Sequence, residues 1–133
     1  MALIQIADYR KYVREGEQYL RTAVTAAARR KDVFTPEILY NLTAIAIEKF
    51  LMGFLMYHGT LADNHTMQDL NNAVEAIAGR QETLAGQLRY LDSFQEICDM
   101  DTYNRKAPEP EDILKILGIG KDVKRFVLSR IDI

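Results

Sequence analysis

His58 and His65 are the only imidazoles in the chain, so any proton transfer by histidine or any histidine-held metal must run through them. They stand seven residues apart, with Asp63 and Asp69 nearby. That set falls short of a metal cage, because an i, i+4 histidine pair is missing and neither histidine follows a glutamate by three positions. The sequence therefore predicts no metal and no cofactor, with His65 near a helix start or on the surface. Cys98, the single cysteine, would need a base and an electropositive niche to act as a nucleophile, whereas its spacing places it on the apolar register of a helix. One cysteine also excludes an intramolecular disulfide and a cysteine zinc cage, and fits a reducing, cytoplasmic setting. Gly118-Ile119-Gly120-Lys121 lacks the length and the preceding strand of a Walker phosphate loop.

Glu48 and Lys49 are the second chemical feature. They interrupt an apolar-rich stretch from Ile38 to Tyr57 that is otherwise broken only by Asn41. Unpaired charges in a packed interior are costly, so this pair needs partners or a site. The partners expected are charges on neighbouring helices, such as Arg14 or Arg105. The functional alternative is a cleft lined by Glu48, Lys49, Tyr103 and Arg105.

Helices must position these groups. Tyr9, Val13, Gly16, Leu20, Ala23 and Ala27 recur at three- and four-residue steps, which predicts a first helix from about Ile6 to Arg30 with that face in the core. Thr35, Pro36 and Glu37 supply an N-cap, a first-turn proline and a first-turn acid for a second helix ending near His58-Gly59. Its apolar positions wrap most of the way round, as expected of a centrally packed helix. Thr66-x-x-Asp69 resembles a capping box opening a short third helix that Gly79 ends. A fourth helix is expected over about Gln81 to Asp99, a loop over 100 to 110, and a final helix in two pieces, Glu111 to Leu117 and Lys121 to about Arg130, with Gly118 and Gly120 bending or separating them. The expectation is one domain over residues 1–133, an all-α antiparallel up-and-down bundle of about five helices.

Length and charge set outer limits. A chain of 133 residues can bury a core without staples, and a net charge of -2 with 27% charged residues indicates neither a strongly basic nucleic-acid binder nor a disordered acidic tail. The N-terminal stretch lacks the apolar centre of a signal peptide, and the charges inside the second helix argue against a membrane span. Charge is nevertheless uneven. Residues 1 to 32 carry seven basic and four acidic groups, residues 65 to 101 two basic and seven acidic. Arg10, Lys11 and Arg14, with Lys121, Lys124 and Arg125, would form a basic surface if the two terminal helices are adjacent, attractive to nucleotide phosphates or an acidic partner.

The run Tyr40-Asn41-Leu42-Thr43-Ala44-Ile45-Ala46-Ile47-Glu48-Lys49-Phe50-Leu51, followed by His58-Gly59 and His65-Thr66-Met67-Gln68-Asp69-Leu70, resembles the second helix and following turn of the HEPN family of small helical domains. The likeness covers nearly the whole chain. Asp101-Thr102-Tyr103-Asn104-Arg105 is similar, in a different order, to the Arg-Tyr-Pro-type loop before that family's last helix. The resemblance implies one of three roles: an RNA-cleaving toxin, the partner of a small nucleotidyltransferase, or a nucleotide-binding domain. The ribonuclease members carry Arg, four to six residues, then His. Here the positions before His58 hold Leu51, Met52 and Gly53, and those before His65 hold His58, Gly59 and Thr60, so the motif is absent. The resemblance then implies a non-catalytic binding domain, a homodimer, with a nucleotide, an RNA or a separately encoded nucleotidyltransferase as partner, as in a toxin-antitoxin pair. The alternative is an atypical ribonuclease using His65 and Arg105.

Overall fold

The computed structural model describes residues 8–29, 33–62, 64–94 and 107–131. Among the described residues five α-helices form a bundle: α1 (Tyr9–Arg29), α2 (Pro36–Tyr57), α3 (Met67–Ala78), α4 (Glu82–Asp92) and α5 (Ile113–Leu128), the last preceded by a 3-10 turn at Pro110–Asp112. The described residues contain no strand.

α1 buries Tyr9, Val13, Gly16, Leu20, Ala23 and Ala26, the stripe its spacing predicts, with Ala26 rather than Ala27 taking the last buried place. α2 begins where its cap chemistry says it should: Thr35 Oγ1 accepts a hydrogen bond from the Ile38 N–H at 3.2 Å, and Pro36 occupies the first turn. From Leu51 to Met56 every residue of α2 is buried, because α1, α3 and α5 cover successive sides of it. By length and composition α2 could cross a membrane, yet here its apolar surface is spent on the bundle. The backbones of α1 and α2 run antiparallel and close together where glycines remove side chains. Gly16 faces Phe50 and Ala46, and Gly53 faces Val13 and Tyr9.

α3 is capped by Thr66, whose Oγ1 accepts from the Asp69 N–H at 3.1 Å. The reciprocal half of the capping box does not form. Asp69 Oδ2 takes the Thr66 hydroxyl at 2.8 Å instead. Gly79 ends α3 with φ of +83°, a conformation that favours glycine. Tyr40 on α2 donates through its hydroxyl to the Leu91 carbonyl at 2.8 Å, which ties the end of α4 to the start of α2.

The final helix departs from expectation. α5 is one continuous helix through both Gly118 and Gly120. Gly120 is a point of close approach: a Cβ there would lie 2.8 Å from Leu20 Cδ1 and 3.0 Å from Thr43 Cγ2. The glycine lets α5 settle into the seam between α1 and α2, and burial of Ile116, Ile119, Val123 and Val127 outweighs its poor helix propensity. α5 lies antiparallel to α1, with Gly120 beside Leu20 and Lys124 beside Glu17.

Candidate functional site

Glu48 and Lys49 are adjacent in sequence and therefore about 100° apart around α2, so they reach different neighbours. Both are half-buried. Lys49 Nζ lies 3.0 Å from Glu15 Oε1 and 4.8 Å from the centre of the Tyr12 ring. Glu48 Oε2 lies 2.6 Å from His65 Nδ1. Neither pairs with Arg14. Tyr103 and Arg105, the other members of the cleft expected around them, lie outside the described residues, as does Cys98.

The hydrogen bond from Lys49 holds the Glu15 carboxyl below its ordinary pKa, and the same bond from the other side raises Lys49. A lowered carboxyl stabilises the fold above its unfolded pKa and loses that contribution as pH falls through the folded one. A raised ammonium contributes below its unfolded pKa and loses it as pH rises through the folded one. The pair therefore works across the neutral range and fails at both extremes. Because each side chain is about a third exposed, water screens it. Glu15→Gln is expected to cost about 0.5 kcal/mol at neutral pH, read by denaturant titration. That difference should shrink in high salt and vanish in acid.

His65 is half exposed, with Nδ1 taken by Glu48. A carboxylate on Nδ1 orients the ring and leaves Nε2 open, an arrangement that can move a proton. No arginine joins it by hydrogen bond or ion pair among the described residues. His58 is exposed and rests its ring against Phe54 and Tyr57. Among the described residues no three His, Cys, Asp or Glu side chains converge as metal ligands.

The basic residues divide into two groups. Lys121, Lys124 and Arg125 on α5 line a groove of about 730 Å³ against α1, where Arg21 joins them. Spacing along α1 could have revealed Arg21, since Arg10, Arg14, Glu17 and Arg21 recur at three- and four-residue steps on one stripe. Arg10 and Arg14 continue that stripe beyond the groove, and the Arg10 guanidinium sits 4.7 Å from the Tyr9 ring centre. Lys11 belongs to the other flank, where its charge helps lower Glu15. Within the groove, Lys124 meets Glu17 at 3.6 Å and Arg125 meets Asp122 at 2.9 Å. Arg21 and Lys121 have no ion-pair partner among the described residues. Leu20, Val24 and Leu128 supply an apolar floor. Such a groove can neutralise an anion while sheltering an attached apolar group. No protein-family model, curated protein or solved structure matches the chain.

Proposed function

We propose that this chain is a non-catalytic, HEPN-like binding domain that holds a nucleotide by its phosphates in the groove between α1 and α5. The observation that carries the reading is the groove's composition, four cations around an apolar floor with Glu17 the only carboxylate among the described residues that line it. Arg21 and Lys121 offer the least compensated charge, so they would meet the phosphates first. The family resemblance adds two partners, a second copy of the chain and a separately encoded small nucleotidyltransferase. The missing Arg-x4–6-His spacing favours binding over cleavage. One contact, Glu48 with His65, favours a second reading as an atypical ribonuclease in which Glu48 orients the base.

Millimolar ATP or GTP is expected to raise the melting temperature of the purified chain by a few degrees, less so in high salt. Arg21→Ala combined with Lys121→Ala should abolish the shift, while Lys49→Ala, whose ammonium is committed to Glu15, should keep it. No shift, or one that survives the double change, overturns the nucleotide reading. Light scattering in the same samples should report a dimer at micromolar concentration, and a monomer alone removes that part. Labelled RNA should remain intact. Cleavage that disappears with His65→Ala would move the conclusion to the second reading.

A further inference from the structure

A polar groove of about 260 Å³ opens along the seam of α3 and α4, and its wall contains a group the fold leaves unsatisfied. Asn71 is only 5% exposed, on the same buried face of α3 as Leu70 and Val74, and its Oδ1 meets no hydrogen-bond donor. Leucine has the same branched outline and would be far cheaper to leave without partners there, because a buried amide oxygen without a donor forfeits the bonds it made to water. A half-turn about χ2 exchanges the amide oxygen and nitrogen within the same volume. The amide can therefore answer a donor arriving from the groove.

The charges round the groove narrow what that donor is. Arg80 and Glu82 answer each other at the rim, 3.0 Å apart. Gln68 donates to Asn72 Oδ1 at 3.0 Å. Two ionic groups remain without an ion pair among the described residues: Glu75, which accepts one long bond from the Gln81 N–H at 3.4 Å, and Arg89. Glu75 stands one helical turn beyond Asn71 on α3, and Arg89 lines the opposite wall from α4. A simple amine would leave Arg89 unanswered, and a simple anion would leave Glu75 so.

We infer that this groove binds a small zwitterion with an ammonium and a carboxylate on one molecule, the chemistry of a free amino acid. The ammonium donates to Glu75 and to the Asn71 oxygen, and the carboxylate accepts from the Arg89 guanidinium, whose planar fork matches it. The volume lies below the roughly 300–1,000 Å³ of sites for drug-sized ligands, which suits an amino acid better than a nucleotide. This site is separate from the α1–α5 groove and stands or falls independently of it.

Thermal melting and ligand-observed NMR of the full chain with each proteinogenic L-amino acid at millimolar concentration test the inference, with methylammonium acetate as the control that supplies both charges on separate ions. At least one amino acid should bind and raise the melting temperature, and the control should not. Glu75→Gln and Arg89→Gln should each weaken that affinity about tenfold or more, and Asn71→Leu should abolish it in a protein with unchanged circular dichroism. No binding by any amino acid, or binding equally strong in the Glu75 and Arg89 variants, overturns the inference. So does an Asn71→Leu protein that melts higher while the unsubstituted chain binds nothing, since the amide would then hold only buried water.

Discussion

Phe50→Ala is expected to destabilise the chain by about 3–5 kcal/mol, the range for removing a fully buried aromatic ring. Phe50 has no solvent exposure and lies at the contact between α1 and α2. Its ring fills the space left by Gly16: a Cβ at that glycine would come within 3.0 Å of Phe50 Cδ1. Truncation therefore opens a cavity against a backbone that cannot easily collapse into it, because the Ala46 carbonyl holds the two helices at their present distance. For a chain of this size the melting temperature should fall by about 10–20 °C. A second measurement separates cavity from general damage. Gly16→Ala should be costly in the native background, where the new methyl meets the ring and the Ala46 carbonyl oxygen, and less costly when combined with Phe50→Ala, which removes the ring contact and leaves the carbonyl one. Strict additivity of the two changes would mean that Phe50 does not pack on Gly16 as described.

How much of this was legible beforehand depends on whether a signal is local or arises only on folding. The starts of α2 and α3 and the stop at Gly79 were readable because cap chemistry lies within four residues of the boundary it sets. The all-α class and the buried stripe of α1 were readable because the 3.6-residue period repeats five times between Tyr9 and Ala26. Gly118 and Gly120 misled for the opposite reason. A glycine that breaks a helix and one that admits a neighbouring helix look alike in one dimension, and only Leu20 and Thr43, far away in sequence, distinguish them. Arg14, expected beside the Glu48-Lys49 pair, could have answered only Glu48; instead its neighbour Glu15 meets Lys49 and His65 meets Glu48, a difference in the rotation of α1 that no periodicity resolves. Glu48 with His65 is a contact across seventeen residues and a turn, and Asn71 reads as an ordinary polar residue until α4 covers it.

α2 carries Glu48 and Lys49 as half-exposed groups, each satisfied by one neighbour, so the pair stitches α2 to α1 and to the start of α3 and offers little unspent charge to a ligand. Charge without an ion-pair partner among the described residues sits elsewhere, at Arg21 and Lys121 on one side and at Glu75 and Arg89 on another. Ligand binding is best sought where folding has left groups unanswered, since a group already bonded must lose that bond before it can gain another.

Glycine-to-alanine substitution should change sign between Gly53 and Gly118, although both lie in the interior of a helix. Alanine gains about 1 kcal/mol over glycine from the backbone entropy of the unfolded chain. At Gly118 nothing lies within 4 Å of the added methyl, so that gain is unopposed and the melting temperature should rise. At Gly53 the methyl would meet Val13 Cγ2 at 2.8 Å and the Tyr9 carbonyl oxygen at 3.2 Å. Val13 has no exposure and, being β-branched in a helix, is confined to one rotamer, while the carbonyl belongs to the backbone of α1. Neither can yield without parting the helices, and overpacking of that kind costs about 1–3 kcal/mol. The clash outweighs the entropic gain. Gly53→Ala should lower stability by up to about 2 kcal/mol, and Gly53→Leu should exceed what the bundle tolerates and leave the chain unfolded or aggregated. Denaturant midpoints of the two alanine variants, measured side by side, decide the matter: a Gly53→Ala protein as stable as the Gly118→Ala one would mean that α1 and α2 do not approach at Val13, and with that contact would go the placement of Glu15 beside Lys49.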